Sequence, residues 1–132
     1  MSSERRVPPA GPRPAAAKIL AVERAEVRPG VLVISAAGEI DAVSVRLLQH
    51  ATWQDLAPDT VLDLSRVTYL GAAGLRALGQ AAERAAAEGT RLCVVTPPHP
   101  VSAVLLTFWR DDRVAVFPTL AEALRAAPVP SD

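Results

Sequence analysis

Four small residues in a row, Gly71-Ala72-Ala73-Gly74, stand where a strand hands over to a long helical pattern. A helix N-terminus there presents unpaired amides and partial positive charge, which suits an anion. The lack of bulk also lets a second backbone approach closely, or simply lets the helix pack tightly on a sheet. Asp63 lies within the apolar run Val61-Leu62-Asp63-Leu64. No second carboxylate or histidine neighbours it in sequence, so accepting from loop amides is a better reading than acid–base work. His50 and His99 are far apart and lack metal-ligand spacing. Cys93 is the single cysteine; set in an apolar strand with no resolving thiol, it reads as a small core hydrophobe. Walker, dinucleotide-binding, zinc and nucleophile-elbow motifs are all missing. These residues speak for binding rather than catalysis, and for no cofactor and no metal.

Composition narrows the class. The chain has 132 residues with 14 basic and 14 acidic side chains, and half of it is hydrophobic. That suits one domain with a real core. Charge neutrality argues against nucleic-acid binding, which rests on clustered positive charge. No apolar run approaches the roughly 20 residues of a membrane span, and no signal-peptide pattern opens the chain. A single cysteine fits a reducing compartment, so a soluble, cytoplasmic domain is expected. Aromatic residues make up 4%, which leaves the core to Leu, Val, Ile and Ala.

The positioning elements follow from pattern. Residues 1–17 hold four of the 12 prolines and almost no large apolar residue, so they are expected to fray, as is the tail 128–132. The folded unit is then residues 18–127. Ile19–Arg28 and Val31–Ser35 read as a hairpin about Pro29-Gly30, with Gly30 at positive φ. Asp41 caps a helix through the Ser44 amide, with Val43, Leu47, Leu48 and Ala51 on its inner face. Val61–Leu64 is the next strand. A long helix, Ala72–Glu88, turns in Leu75, Leu78, Ala82 and Ala85 and ends at Gly89 in the left-handed conformation. Strand Leu92–Val95, helix Val101–Phe108, strand Val114–Phe117 and helix Leu120–Ala126, capped by Thr119, complete the chain. Phe108-Trp109-Arg110 reads either as an interface anchor or as a core edge filled by Phe108.

The order is ββαβαβαβα, an α/β fold with a mixed, mostly parallel sheet of about five strands and about four helices. Sites in such sheets gather at the carboxyl ends of the strands. Here that edge collects Gly38–Asp41, Ser65–Gly74 and Thr96–Pro100. Ser65 and Thr68 are expected to satisfy backbone groups of the strand-to-helix turn. Glu39 reads as a solvated charge able to meet a basic partner surface. His99 reads as an exposed loop residue within reach of a partner.

Over residues 18–127 the chain resembles the STAS domain, the family of bacterial anti-sigma-factor antagonists. The resemblance rests on Gly38-Glu39-Ile40-Asp41 before a helix and on Val61-Leu62-Asp63-Leu64-Ser65-Arg66-Val67-Thr68-Tyr69-Leu70. Gly74-Leu75, Gly89-Thr90-Arg91-Leu92 and Phe117-Pro118-Thr119-Leu120-Ala121-Glu122-Ala123-Leu124 complete it. It implies a partner-binding edge made by Glu39, Asp41, Ser44, Thr68, Tyr69, Gly71, Ala72, Ala73, Gly74 and His99. The implied partner is an anti-sigma factor of the serine-kinase type, whose capture frees a sigma factor; a homodimer is left open.

The chain also departs from that family. Kinase-switched antagonists open the long helix with Asp-Ser-Ser-Gly or Asp-Ser-Thr-Gly, and the first hydroxyl takes the phosphate. Gly71-Ala72-Ala73-Gly74 puts Ala72 at the phosphoacceptor position and Gly71 at the acid. Alanine has no oxygen to phosphorylate, so the resemblance implies an antagonist without the serine switch. The alternative it leaves is a scaffold or regulatory subunit of a stress-signalling assembly or a lipid-transport ATPase.

Overall fold

The computed structural model describes residues 20–127. The segments expected to fray, 1–17 and 128–132, and the Lys18-Ile19 start of the expected folded unit, lie outside them. β1 (Ala21–Arg28) and β2 (Val31–Ile40) form the expected hairpin, antiparallel about a turn in which Gly30 has φ 80°. The chain continues through α1 (Val45–Trp53), β3 (Asp59–Leu70), α2 (Ala72–Glu88), β4 (Arg91–Val95), α3 (Val101–Phe108), β5 (Ala115–Phe117) and α4 (Leu120–Ala126). β2, β3, β4 and β5 pair in parallel, so the five strands lie side by side in chain order. The ββαβαβαβα architecture read from periodicity is the observed one.

Strand alternation divides the core between the two sheet faces. Leu32, Ile34, Leu62, Leu64, Leu92 and Val94 belong to the larger cluster, together with Leu48 of α1, Leu78 of α2 and Leu105 of α3. Val33, Val61, Cys93 and Val95 point the other way, against Ala123 of α4. Cys93 is therefore a packing residue, and burial pushes its thiol pKa up. α2 ends as expected: Gly89 takes φ 71° and its amide caps the Ala85 and Ala86 carbonyls. α4 begins as expected too, with Thr119 Oγ1 accepting from the Glu122 amide at 3.1 Å.

Three expectations need correction. β2 and β3 run well beyond the apolar runs that announce them, so Ser65–Leu70 is strand rather than loop. Pairing continues to Ile40 opposite Leu70, through register shifts at Ser35/Ala37 and Gly38/Glu39. These shifts break the alternation of apolar side chains that signals a strand. The inner face of α1 is Val45, Leu48, Ala51 and Thr52, while Val43 and Leu47 are 73% and 49% exposed. The chain first closes a hydrogen-bonded turn over Asp41–Ser44, so Val45 is the first residue aimed inward. Finally, Trp109 packs on the core, whereas Phe108 is exposed.

Candidate functional site

The carboxyl ends of β2 and β3 carry the candidate site, joined by backbone bonds and by one side-chain bond. The Gly71 amide donates to the Ile40 carbonyl at 3.0 Å, just as β3 gives way to α2. Thr68 Oγ1 donates to the Gly38 carbonyl at 3.3 Å. That bond crosses the irregular stretch where Gly38 holds φ 119°, a conformation that favours glycine. Glu39 stands opposite Tyr69 in the ladder. The expected role of Thr68 is thus met from within a strand. Asp63 accepts from the Ser65 amide at 3.0 Å, the structural work its sequence setting suggested.

On the β2 side the chain is tied into a tight turn. Asp41 Oδ1 accepts from the Val43 amide at 3.0 Å and the Ser44 amide at 2.7 Å. Ser44 Oγ in turn accepts from the Asp41 amide at 2.9 Å and donates to the Glu39 carbonyl at 2.6 Å. The Ser44 amide, followed by its hydroxyl, lowers the Asp41 pKa below the ordinary carboxylate value of 3.8. Asp41 therefore presents a firmly held negative charge at this edge.

On the β3 side, Gly71 is the extended N-cap of the 17-residue α2 and offers no side-chain cap; no acidic residue lies in the first turn. The first amides of α2 thus keep their unpaired, partly positive character. Ala72 is exposed, Ala73 half-buried and Gly74 buried. Space accounts for Gly74 and is tight at Gly71. A Cβ on Gly74 would lie 2.6 Å from Leu70 Cδ1 and 2.8 Å from Ile40 Cγ2. A Cβ on Gly71 would lie 3.1 Å from the Tyr69 hydroxyl oxygen and 3.2 Å from its ring. Tyr69, half-exposed, therefore stands over the position that an acidic side chain would otherwise fill.

Nine of the ten residues expected at the edge are brought together on these two strand ends. His99 is exposed in the loop between β4 and α3, at the same end of the sheet but one strand away. No hydrogen bond joins it to the other nine among the described residues. Val43, expected on the inner face of the helix, is instead an exposed apolar side chain two residues from Asp41. Leu47, on the outer face of α1, is a second exposed apolar side chain near this end of the helix. Among the described residues no group of acidic, histidine and cysteine side chains could hold a metal ion. No helix there is long and apolar enough to cross a membrane.

Known proteins share this fold. The STAS domain profile matches residues 24–123. The anti-sigma-F factor antagonist RsfB of Mycobacterium tuberculosis is 31% identical over 98 residues, covering 72% of this chain and 80% of that protein. A crystal structure of an anti-sigma factor antagonist from Mycobacterium paratuberculosis superposes with a TM-score of 0.72 at 32% identity. That match covers 83% of this chain and 94% of the other. The anti-sigma factor antagonist SpoIIAA in its unphosphorylated form shares the fold, with a TM-score of 0.63 at 18% identity. It covers 79% of this chain and 93% of the other.

Proposed function

The chain belongs to the STAS domain family, and we propose that it is an anti-sigma factor antagonist that works without a serine switch. Its role is regulatory: it binds an anti-sigma factor and so releases a sigma factor. The relatives of 31% and 32% identity, both anti-sigma factor antagonists, support the general role. One observation carries the particular form. At the carboxyl edge of the sheet, α2 opens with Gly71 and the exposed Ala72, where kinase-switched antagonists of the family carry an acid and a serine.

The partner in this reading is an anti-sigma factor of the serine-kinase type. It meets Glu39, Asp41, Ser44, Thr68, Tyr69, Gly71, Ala72, Ala73 and Gly74, with His99 at the margin. A phosphate on the serine of a switched antagonist adds about −1.5 to −2 charge at this place. Ala72 holds the edge permanently in the unphosphorylated form, which by family resemblance is the binding form. A cytoplasmic site of action fits such a partner.

Capture from the native host with the tagged full chain, read by mass spectrometry, tests the role. An anti-sigma kinase held specifically supports it; a transport ATPase held instead overturns it. Ala72→Glu tests the edge. A negative charge in the first turn of α2 favours the helix, so the fold should hold while partner affinity falls about tenfold or more. Unchanged affinity would place the interface elsewhere.

A further inference from the structure

The two faces of the sheet are covered unequally. α1, α2 and α3 pack on one of them through Leu48, Leu78 and Leu105. On the other, where Val33, Val61, Cys93 and Val95 are buried, α4 is the one helix among the described residues. It has seven residues, too few for a helix to persist by itself in water. Its apolar hold is slight. Ala123 and, just past the helix, Ala127 are buried, whereas Leu120 and Leu124 are only partly so.

The polar hold acts at two points. Thr119 caps the first turn by accepting from the Glu122 amide. At the other end Arg28, on the edge strand β1, donates through Nη2 to the Leu124 carbonyl at 2.9 Å and to the Ala127 carbonyl at 3.3 Å. A guanidinium suits the open carbonyls of a helix C-terminus.

This fastening has a built-in weakness. Arg28 Nε is buried, and among the described residues nothing accepts from it. Burying an N–H without an acceptor offsets part of what the two Nη2 bonds contribute. The end of α1 is held differently. Arg24 of β1 donates to the Ala51 and Asp55 carbonyls, and Arg84 of α2 donates to the Thr52 carbonyl at 2.7 Å. Neither of these arginines leaves a buried donor unpaired.

We propose that α4 is a strap latched by Arg28, which lifts from the sheet as a unit while the rest of the domain stays folded. Segments that bury little apolar surface open at a lower free energy than the whole domain. Lifting uncovers Val33, Val61 and Cys93, a second apolar surface that the closed form hides. The strap lies on the face opposite α1 and α2, so the edge formed by β2, β3 and the start of α2 need not move with it.

Cys93 reports the opening, because it is 1% exposed in the closed form and is the single cysteine of the chain. The full chain is labelled with dithiobis(nitrobenzoate) at rising urea, and global unfolding is followed in parallel by circular dichroism. At low urea the labelling rate should rise with less than about half the slope of global unfolding, since that slope scales with the surface exposed. Two charge-assisted bonds outweigh one orphaned N–H, so Arg28→Met should speed labelling about tenfold or more. Thr119→Ala should speed it about fivefold through loss of the cap. Gly79→Ala, in α2 where a Cβ meets nothing, should slow global unfolding by about two- to fivefold and leave low-urea labelling unchanged. Labelling with the full slope of global unfolding would overturn the proposal. So would labelling indifferent to both Arg28→Met and Thr119→Ala, or slowed by Gly79→Ala as much as global unfolding is.

Discussion

Asp41 and Ser44 cap each other. The carboxylate accepts from the Ser44 amide at 2.7 Å, and the Ser44 hydroxyl oxygen accepts from the Asp41 amide at 2.9 Å. This is the reciprocal logic of a capping box, with serine in place of the usual Glu or Gln. Ser44 also donates to the Glu39 carbonyl, so one hydroxyl joins the end of β2 to the start of α1. Ser44→Ala removes both hydroxyl bonds from a half-buried site. At about 0.5–1.5 kcal/mol for each, the loss should be about 1–3 kcal/mol in denaturant unfolding. Amide exchange should quicken first at Asp41. An unchanged unfolding midpoint would mean the turn is held by the Asp41 carboxylate alone.

Acid should loosen this turn and the Asp111–Arg113 loop together. Asp41 is held below 3.8 by the Ser44 amide and hydroxyl, and Asp111 is held at about 2, first by the Arg113 side chain and then by its amide. Both carboxyls bind protons less readily folded than unfolded. Their contribution to stability is therefore complete above the unfolded value of 3.8 and lost as pH falls through the folded values. Thermal unfolding followed from neutral pH down to about pH 2 should show the midpoint falling mainly in that last span. The Asp41→Asn, Asp111→Asn double variant should show a flatter decline there. A decline of the same steepness in both proteins would assign the acid sensitivity to other groups.

Two glycines of α2 should answer the same substitution with opposite signs. A Cβ at Gly79 meets nothing within 4 Å, so Gly79→Ala should stabilise by about 0.5–1 kcal/mol through helix propensity. A Cβ at Gly74 would press into Ile40 and Leu70. Leu70 can swing its terminal methyl away, but the branched Ile40 is fixed between sheet and helix. Overpacking of this kind costs about 1–3 kcal/mol, which outweighs the propensity gain, and Gly74→Ala should lower the unfolding midpoint. Stabilisation at both positions would show that α2 can lift from the sheet without loss.

The fold was legible because apolar runs and breakers agree along most of the chain. Pro29-Gly30, Gly89 and Thr119 each mark an element boundary that the structure shows where the sequence puts it. Legibility ended where tertiary pairing replaced local pattern. Ser65, Arg66, Thr68 and Tyr69 look like a loop, but β2 beside them supplies hydrogen-bond partners and makes them strand. In α1, Val43 and Val45 are equally apolar. Only the Asp41–Ser44 turn decides that Val45 faces the core and Val43 the solvent. At the candidate site the backbone edge could be read in advance. The ring of Tyr69 standing over Gly71 could not, because no periodicity encodes it.

That ring bears on rebuilding the missing switch. Gly71→Asp with Ala72→Ser restores the acid and the hydroxyl in family order. The new Cβ at position 71 would meet the Tyr69 hydroxyl at 3.1 Å and ring at 3.2 Å, so the ring must move. Tyr69 is 50% exposed and can swing into solvent, so the double variant should fold. Incubated with the proposed anti-sigma kinase and ATP, it should take phosphate at position 72, mapped by peptide mass spectrometry, whereas the unaltered chain should take none there. Adding Tyr69→Ala clears the space and should raise the rate of labelling. Tight binding of the kinase with no phosphate at position 72 in either variant would show that the partner meets this edge in a different register. The loss of the switch would then lie in the whole interface rather than in two side chains.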